Sequence, residues 1–111
     1  MGSVGDSMEL IINHLNTIDD VCGLIEEEKE YATKLVECVK EIEQVLAQLI
    51  NLELECEKEG ISFMDIERMN MILNDIMDGM GREDNVFLLD ALRYGYREEI
   101  NGIDERLSSM L

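Results

Sequence analysis

Apolar residues recur at helical spacing in four separate stretches of the chain. In the first, Met8, Ile11, Leu15, Ile18, Cys22 and Ile25 follow one another at steps of three and four. That spacing lines up one face of a helix. Asp6 with Glu9 three residues on has the form of a capping box, so this helix is expected to start at Asp6 or Ser7. The second seam is Ala32, Leu35, Val39, Ile42, Leu46 and Leu49, and it is out of phase with the first. Continuing the first seam would put Lys29, Val36 and Glu43 in the core. The phase therefore slips within residues 26–30, read as a tight turn between antiparallel helices. The turn holds neither Gly nor Pro, so one long bent helix is the alternative.

The second helix is apolar over a wide arc, which suits contact with two neighbours. Val36, Ile50 and Leu54 widen it on one side, and Val45, Leu52, Cys38 and Cys56 on the other. It is expected to stop near Gly60. Ser62 is then the expected cap of a third helix with seam Ile66, Met69, Leu73, Ile76 and Met80, ending at Gly79 and Gly81. Asp84 or Asn85 caps a fourth, whose seam runs Leu89, Leu92, Tyr96, Ile100, Ile103, Leu107 and Met110. The fold class is all-α: an antiparallel helical bundle of three or four helices, four being the simplest count. Residues 1–6 are expected to be a disordered N-terminus or an expression scar, and residues 7–111 a single bundle domain.

Composition agrees. The 111 residues contain no proline, 46% are apolar, and Leu, Met and Glu dominate. Charge adds a constraint on partners. With 26 acids against 9 bases the net charge is −17. Nucleic acid and anionic membrane surfaces would be repelled, whereas a basic peptide or protein surface would be attracted. The charge also keeps a small bundle soluble. No uncharged run approaches the roughly 20 residues of a membrane span, and no signal peptide is visible, so a cytoplasmic location is expected.

Catalytic and metal motifs are missing, and no catalytic residue, cofactor or metal site is expected. The single histidine, His14, rules out paired Glu-x-x-His ligands and reads as a partly buried or surface residue beside the first seam. Cys22, Cys38 and Cys56 have no CxxC spacing and read as reduced structural thiols. The acids around Asp75, Asp78, Gly79 and Gly81 do not alternate as a calcium loop requires.

Some large apolar residues fall off the seams. Met64 and Met71 lie seven residues apart, about half a turn from the third seam, and Phe87 and Tyr94 do the same on the fourth helix. Isolated exposed hydrophobes are common, and Phe87 could fold over its own loop. The functional reading is a partner surface formed by Met64, Met71, Phe87 and Tyr94, to which an acidic rim would draw a basic amphipathic helix. Ala91, Gly95 and Gly102 form a small-residue flank on the fourth helix, where another helix, of this chain or a second copy, is expected to approach closely.

Two stretches, Gly23 to Val45 and Arg82 to Leu107, carry a resemblance. The second, with a polar turn, an apolar triplet Val86, Phe87 and Leu88 continuing to Leu89, then Tyr94 and Tyr96 before an acidic end, resembles the C-terminal helix of small acidic helical proteins of Gram-positive bacteria. That family brings no settled activity. In size, acidity and helical make-up the chain is similar to bacterial flagellar or secretion export chaperones. The expectation is a non-catalytic cytoplasmic interaction module, chaperone-like, that binds a basic or amphipathic helical segment. The alternatives are a structural homodimer without a ligand, and a weak divalent-metal-binding or enzymatic protein built on clustered Asp and Glu.

Overall fold

The structure is a computed structural model, and it describes residues 2–110. Four helices follow one another: α1 (Gly2–Glu26), α2 (Ala32–Glu57), α3 (Ile66–Gly81) and a last helix, α4, in three consecutive segments. These are α-helical Asn85–Asp90, π-helical Ala91–Arg97 and α-helical Glu98–Ser108. The described residues contain no strand. The fold is the expected all-α four-helix bundle, running up-down-up-down.

The four seams face one core. Ile11, Ile18, Cys22 and Ile25 of α1, Ile42, Leu46 and Leu49 of α2, Met69 and Ile76 of α3, and Leu92, Tyr96, Ile100, Ile103 and Leu107 of α4 are all buried in it. The stretch between α1 and α2 is a turn. Lys29 N–H donates to the Leu24 carbonyl and Glu28 N–H to that of Ile25, which is a Schellman cap with Glu28 in the left-handed region at φ 57°. The end of α3 repeats it with Glu83 at φ 53°, and the end of α2 with Gly60 at φ 77°. Two of the three helix ends thus place a glutamate where glycine is the unstrained residue.

Two boundaries differ from expectation. α1 begins at Gly2, not at Asp6 or Ser7, because Val4 extends the apolar face and packs on the core. Residues 2–6 are therefore helical rather than a separate disordered segment; Met1 lies outside the described residues. The N-cap of α3 is Asp65, whose carboxylate accepts from Arg68 N–H at 3.1 Å, and not Ser62. Ser62 instead donates to the buried carboxylate of Glu53 at 2.7 Å, which also accepts from Phe63 N–H at 2.9 Å. Arg106 Nε closes the same loop onto the Phe63 carbonyl at 2.7 Å. Asp84 caps α4 as expected, accepting from Phe87 N–H.

The π-helical stretch has a cause in the sequence. Leu88, Leu92, Tyr96 and Ile100 are all buried and stand at successive steps of four. Over twelve residues an ideal α-helix would carry such a row about 120° around its axis. The wider i to i+5 winding absorbs that drift and keeps the row on the core.

Within this core His14 is completely buried, not partly as expected. Its Nδ1 lies 2.6 Å from Glu41 Oε1 on α2 and its Nε2 2.7 Å from the Tyr96 hydroxyl on α4. Because the carboxylate accepts, Nδ1 carries the proton, and Nε2 accepts from Tyr96. Thr17 adds a hydroxyl donor to the other oxygen of Glu41. Burial holds the His14 imidazole below its ordinary value, outweighing the hydrogen bond and charge of Glu41.

The close approach between helices is at Gly79, where an added Cβ would stand 3.0 Å from Leu88 Cα. The Ala91, Gly95 and Gly102 flank was expected to have this role and does not. A Cβ on Gly95 would meet the Ile72 side chain at an ordinary 3.6 Å, and one on Gly102 only Arg106 of its own helix.

Three outcomes follow. Gly79→Ala lowers stability by about 1–3 kcal/mol in chemical denaturation, because the added methyl meets backbone. Glu83→Gly raises it by up to about 1 kcal/mol, because the left-handed strain is relieved. The third concerns pH. The unfolded histidine titrates near 6.5 and the folded one lower, so the unfolded chain takes up the proton first. Stability is lost as pH falls through 6.5 toward the folded value, and thermal unfolding from pH 7.5 to 5 shows a steeper fall for the native chain than for His14→Gln.

Candidate functional site

In an up-down-up-down bundle each helix has two neighbours. Here α1 packs along α2 and along α4, and α3 packs along α4. The remaining pair, α2 and α3, does not pack closely, and an apolar groove of about 490 Å³ lies between them. From α2 it is lined by Val39, Ile42, Glu43, Leu46, Ala47 and Ile50. These residues recur at three, four and seven, so they form one stripe on the helix. From α3 the lining is Leu73, Ile76, Met77 and Met80, again at helical spacing. Glu43 is the single charged residue of this lining.

The wide apolar arc of α2 gives the groove its wall. One part of the arc packs on α1 and the rest faces the gap, leaving Val36 and Leu54 about half exposed. On α3, Met77 is 69% exposed and stands at the rim. Met80 also lines a second cavity of about 610 Å³ at the end of the groove. The α1–α2 loop contributes Glu28, Lys29, Glu30 and Tyr31 to this mouth, and the α3–α4 turn contributes Glu83 and Asn85. The Tyr31 hydroxyl donates to the Asn85 side-chain carbonyl and ties the two loops together. Lys29 is paired with Glu27 at 3.1 Å.

The expected partner surface is placed only in part. Met64 is buried, at 5% exposure, in the loop before α3, so it is removed from the surface. It was expected opposite the third seam, but the helix starts two residues later, at Ile66, and the loop before it turns Met64 inward. Met71, Phe87 and Tyr94 are exposed. The register set by Gly79 against Leu88, Ile72 against Gly95 and Arg68 with Glu99 places Met71 and Tyr94 about 3 Å apart in height. They lie on the side of the α3–α4 pair turned away from the core, and Phe87 lies two turns further along. This is a convex patch, whereas the groove is concave and continuous.

Several other ionisable groups are committed to the fold. Glu99 lies 2.8 Å from Arg68 and 3.8 Å from Arg106, beside an open polar cavity of about 690 Å³ under the α2–α3 loop. Arg97 bonds Asp19 at 2.6 Å, and Arg93 bonds Glu26. Cys22, Cys38 and Cys56 are buried free thiols. Burial pushes Cys38 up to about 12, with Glu41 and Cys22 adding to the shift, and raises Cys22 and Cys56 as well. Such thiols are poor nucleophiles at neutral pH. Among the described residues no three His, Cys, Asp or Glu side chains converge as metal ligands. No described helix is long and apolar enough to cross a membrane.

Sequence reasoning missed the groove, although its signal was present. The breadth of the α2 arc was read as contact with two neighbours, and only α1 packs closely along it. Compared with known proteins, the chain has no match: no family model, curated protein or solved structure is significantly similar to it.

Proposed function

We propose that this protein is a non-catalytic, chaperone-like interaction module that holds an amphipathic helical segment of a partner protein in the groove between α2 and α3. One observation carries the reading: the fourth side of the bundle is unpaired, and both helices that border it present apolar stripes to the gap. Ile42, Leu46 and Ile76 form the groove's buried floor, while Val39, Ile50, Leu73 and Met80 are partly buried and Met77 is exposed, so apolar surface is left that a partner would remove from water. Two helices flanking a gap offer the ridges and grooves that a further helix fits. Methionines at the rim, Met77 and Met80, adapt to varied apolar side chains. The stripe from Val39 to Ile50 is about 17 Å long, which matches a guest of roughly three helical turns.

Charges introduced at exposed groove positions separate this site from the convex patch. Met77→Asp and Ala47→Asp are expected to abolish capture of the partner while leaving the helical circular dichroism unchanged. Met71→Asp and Tyr94→Asp retain capture. Loss with the second pair and retention with the first moves the interface to the convex face. Light scattering that reports a stable dimer, disrupted by Met77→Asp, replaces the partner helix with a second copy of the chain.

A further inference from the structure

We infer that the guest helix is basic at one end, with its lysines or arginines seated at the mouth formed by Glu28, Glu30 and Glu83. This rests on the groove reading above and adds the charge pattern of the guest and its placement. The groove is not uniform along its length. Its middle is apolar with one carboxylate, Glu43. Past Met80 it opens into the mouth, where three carboxylates stand around the apolar side chains of Leu35, Val36 and Leu88. The cation there, Lys29, is held by Glu27, which lies outside the lining. Glu30 also accepts from Ala32 N–H at 3.0 Å, and with Lys29 counted the mouth is still net negative, so a guest meets apolar surface over three turns and then a net negative charge over the next turn.

The same charge pattern decides between occupants. Each of the four helices of this chain carries more acidic than basic side chains. A second copy would bring carboxylates against carboxylates in an apolar seam, where like charges are least screened. A neutral amphipathic helix would fill the middle and leave the mouth uncompensated. A helix with an apolar stripe and a basic terminal turn satisfies both parts. Its long basic side chains can lay their methylenes along the apolar mouth while their heads reach Glu28, Glu30 and Glu83.

The test uses two synthetic helical peptides of 18 residues with blocked termini. Both carry Leu at three- and four-residue steps along one face over three turns. One ends in four lysines and the other has glutamine at those positions. Binding to the full chain is measured by calorimetry at low and high salt. The lysine peptide is expected to bind about tenfold more tightly at low salt, an advantage built from several solvent-exposed pairs that fades at high salt. The triple variant Glu28→Gln, Glu30→Gln, Glu83→Gln is expected to bind both peptides alike, at the affinity of the glutamine peptide. Equal binding of the two peptides to the native chain overturns the basic-end inference and leaves the groove reading standing. A lysine advantage that survives in the triple variant also overturns it, since the charge is then felt elsewhere. If neither peptide binds, or if Met77→Asp leaves binding unchanged, the groove reading falls and this inference falls with it.

Discussion

The imidazole of His14 stands where α1, α2 and α4 meet, and both of its ring nitrogens are bonded inside the core. A buried polar group without partners costs on the order of 1–3 kcal/mol, so an arrangement that misplaces either Glu41 or Tyr96 is penalised. Few other contacts in the core have this directionality. Leucine and isoleucine seams tolerate sliding by a turn, whereas one hydroxyl and one carboxylate on opposite sides of one ring do not. The network thus fixes the register of α2 and of α4 on α1. The π-helical turn that carries Tyr96 is part of the same solution, since it keeps Tyr96 on the row that reaches the histidine.

α3 has no part in that network. It is held by α4, through the tight contact of Gly79 with Leu88, and by the loop that precedes it. The buried carboxylate of Glu53 and the guanidinium of Arg106 fasten that loop from α2 and α4. These fastenings are at the two ends of α3 and along its α4 side. Between the ends, nothing draws its other face onto α2. The open fourth side of the bundle follows from where the directional contacts lie, and it leaves apolar side chains facing a gap.

Charge gives that gap a direction. The net charge of −17 is spread over every helix, but the groove middle carries one carboxylate and its mouth three. The apolar stretch offers binding energy without sequence detail. In the proposed function the acidic mouth would select against guests of the wrong charge and attract basic ones at a distance. Under the same proposal, weak specificity for side-chain shape combined with selection by charge pattern would suit a module that shields amphipathic segments.

Helical spacing of Met8 to Ile25, Leu35 to Leu49, Met69 to Ile76 and Leu92 to Leu107 determined four helices and their core faces, because the 3.6-residue period is a local property of the chain. The phase slip between the first two seams located the turn at residues 26–30 without a glycine to mark it. Asp84 as a cap was legible for the same local reason. What tertiary structure decided was which neighbour each face meets. Met64 reads as exposed on a helical wheel but precedes the helix and is drawn inward by a loop anchored on Glu53, a residue nine or more positions away. Gly79 reads as a helix stop and is instead a packing contact, because Leu88 comes back across it. His14 reads as a bystander until Glu41 and Tyr96, 27 and 82 residues distant, are placed on either side of it. The groove belongs to the same class. The wide apolar arc of α2 was written in the sequence, but whether a second neighbour covers it depends on contacts between residues far apart in the chain, which no local period encodes.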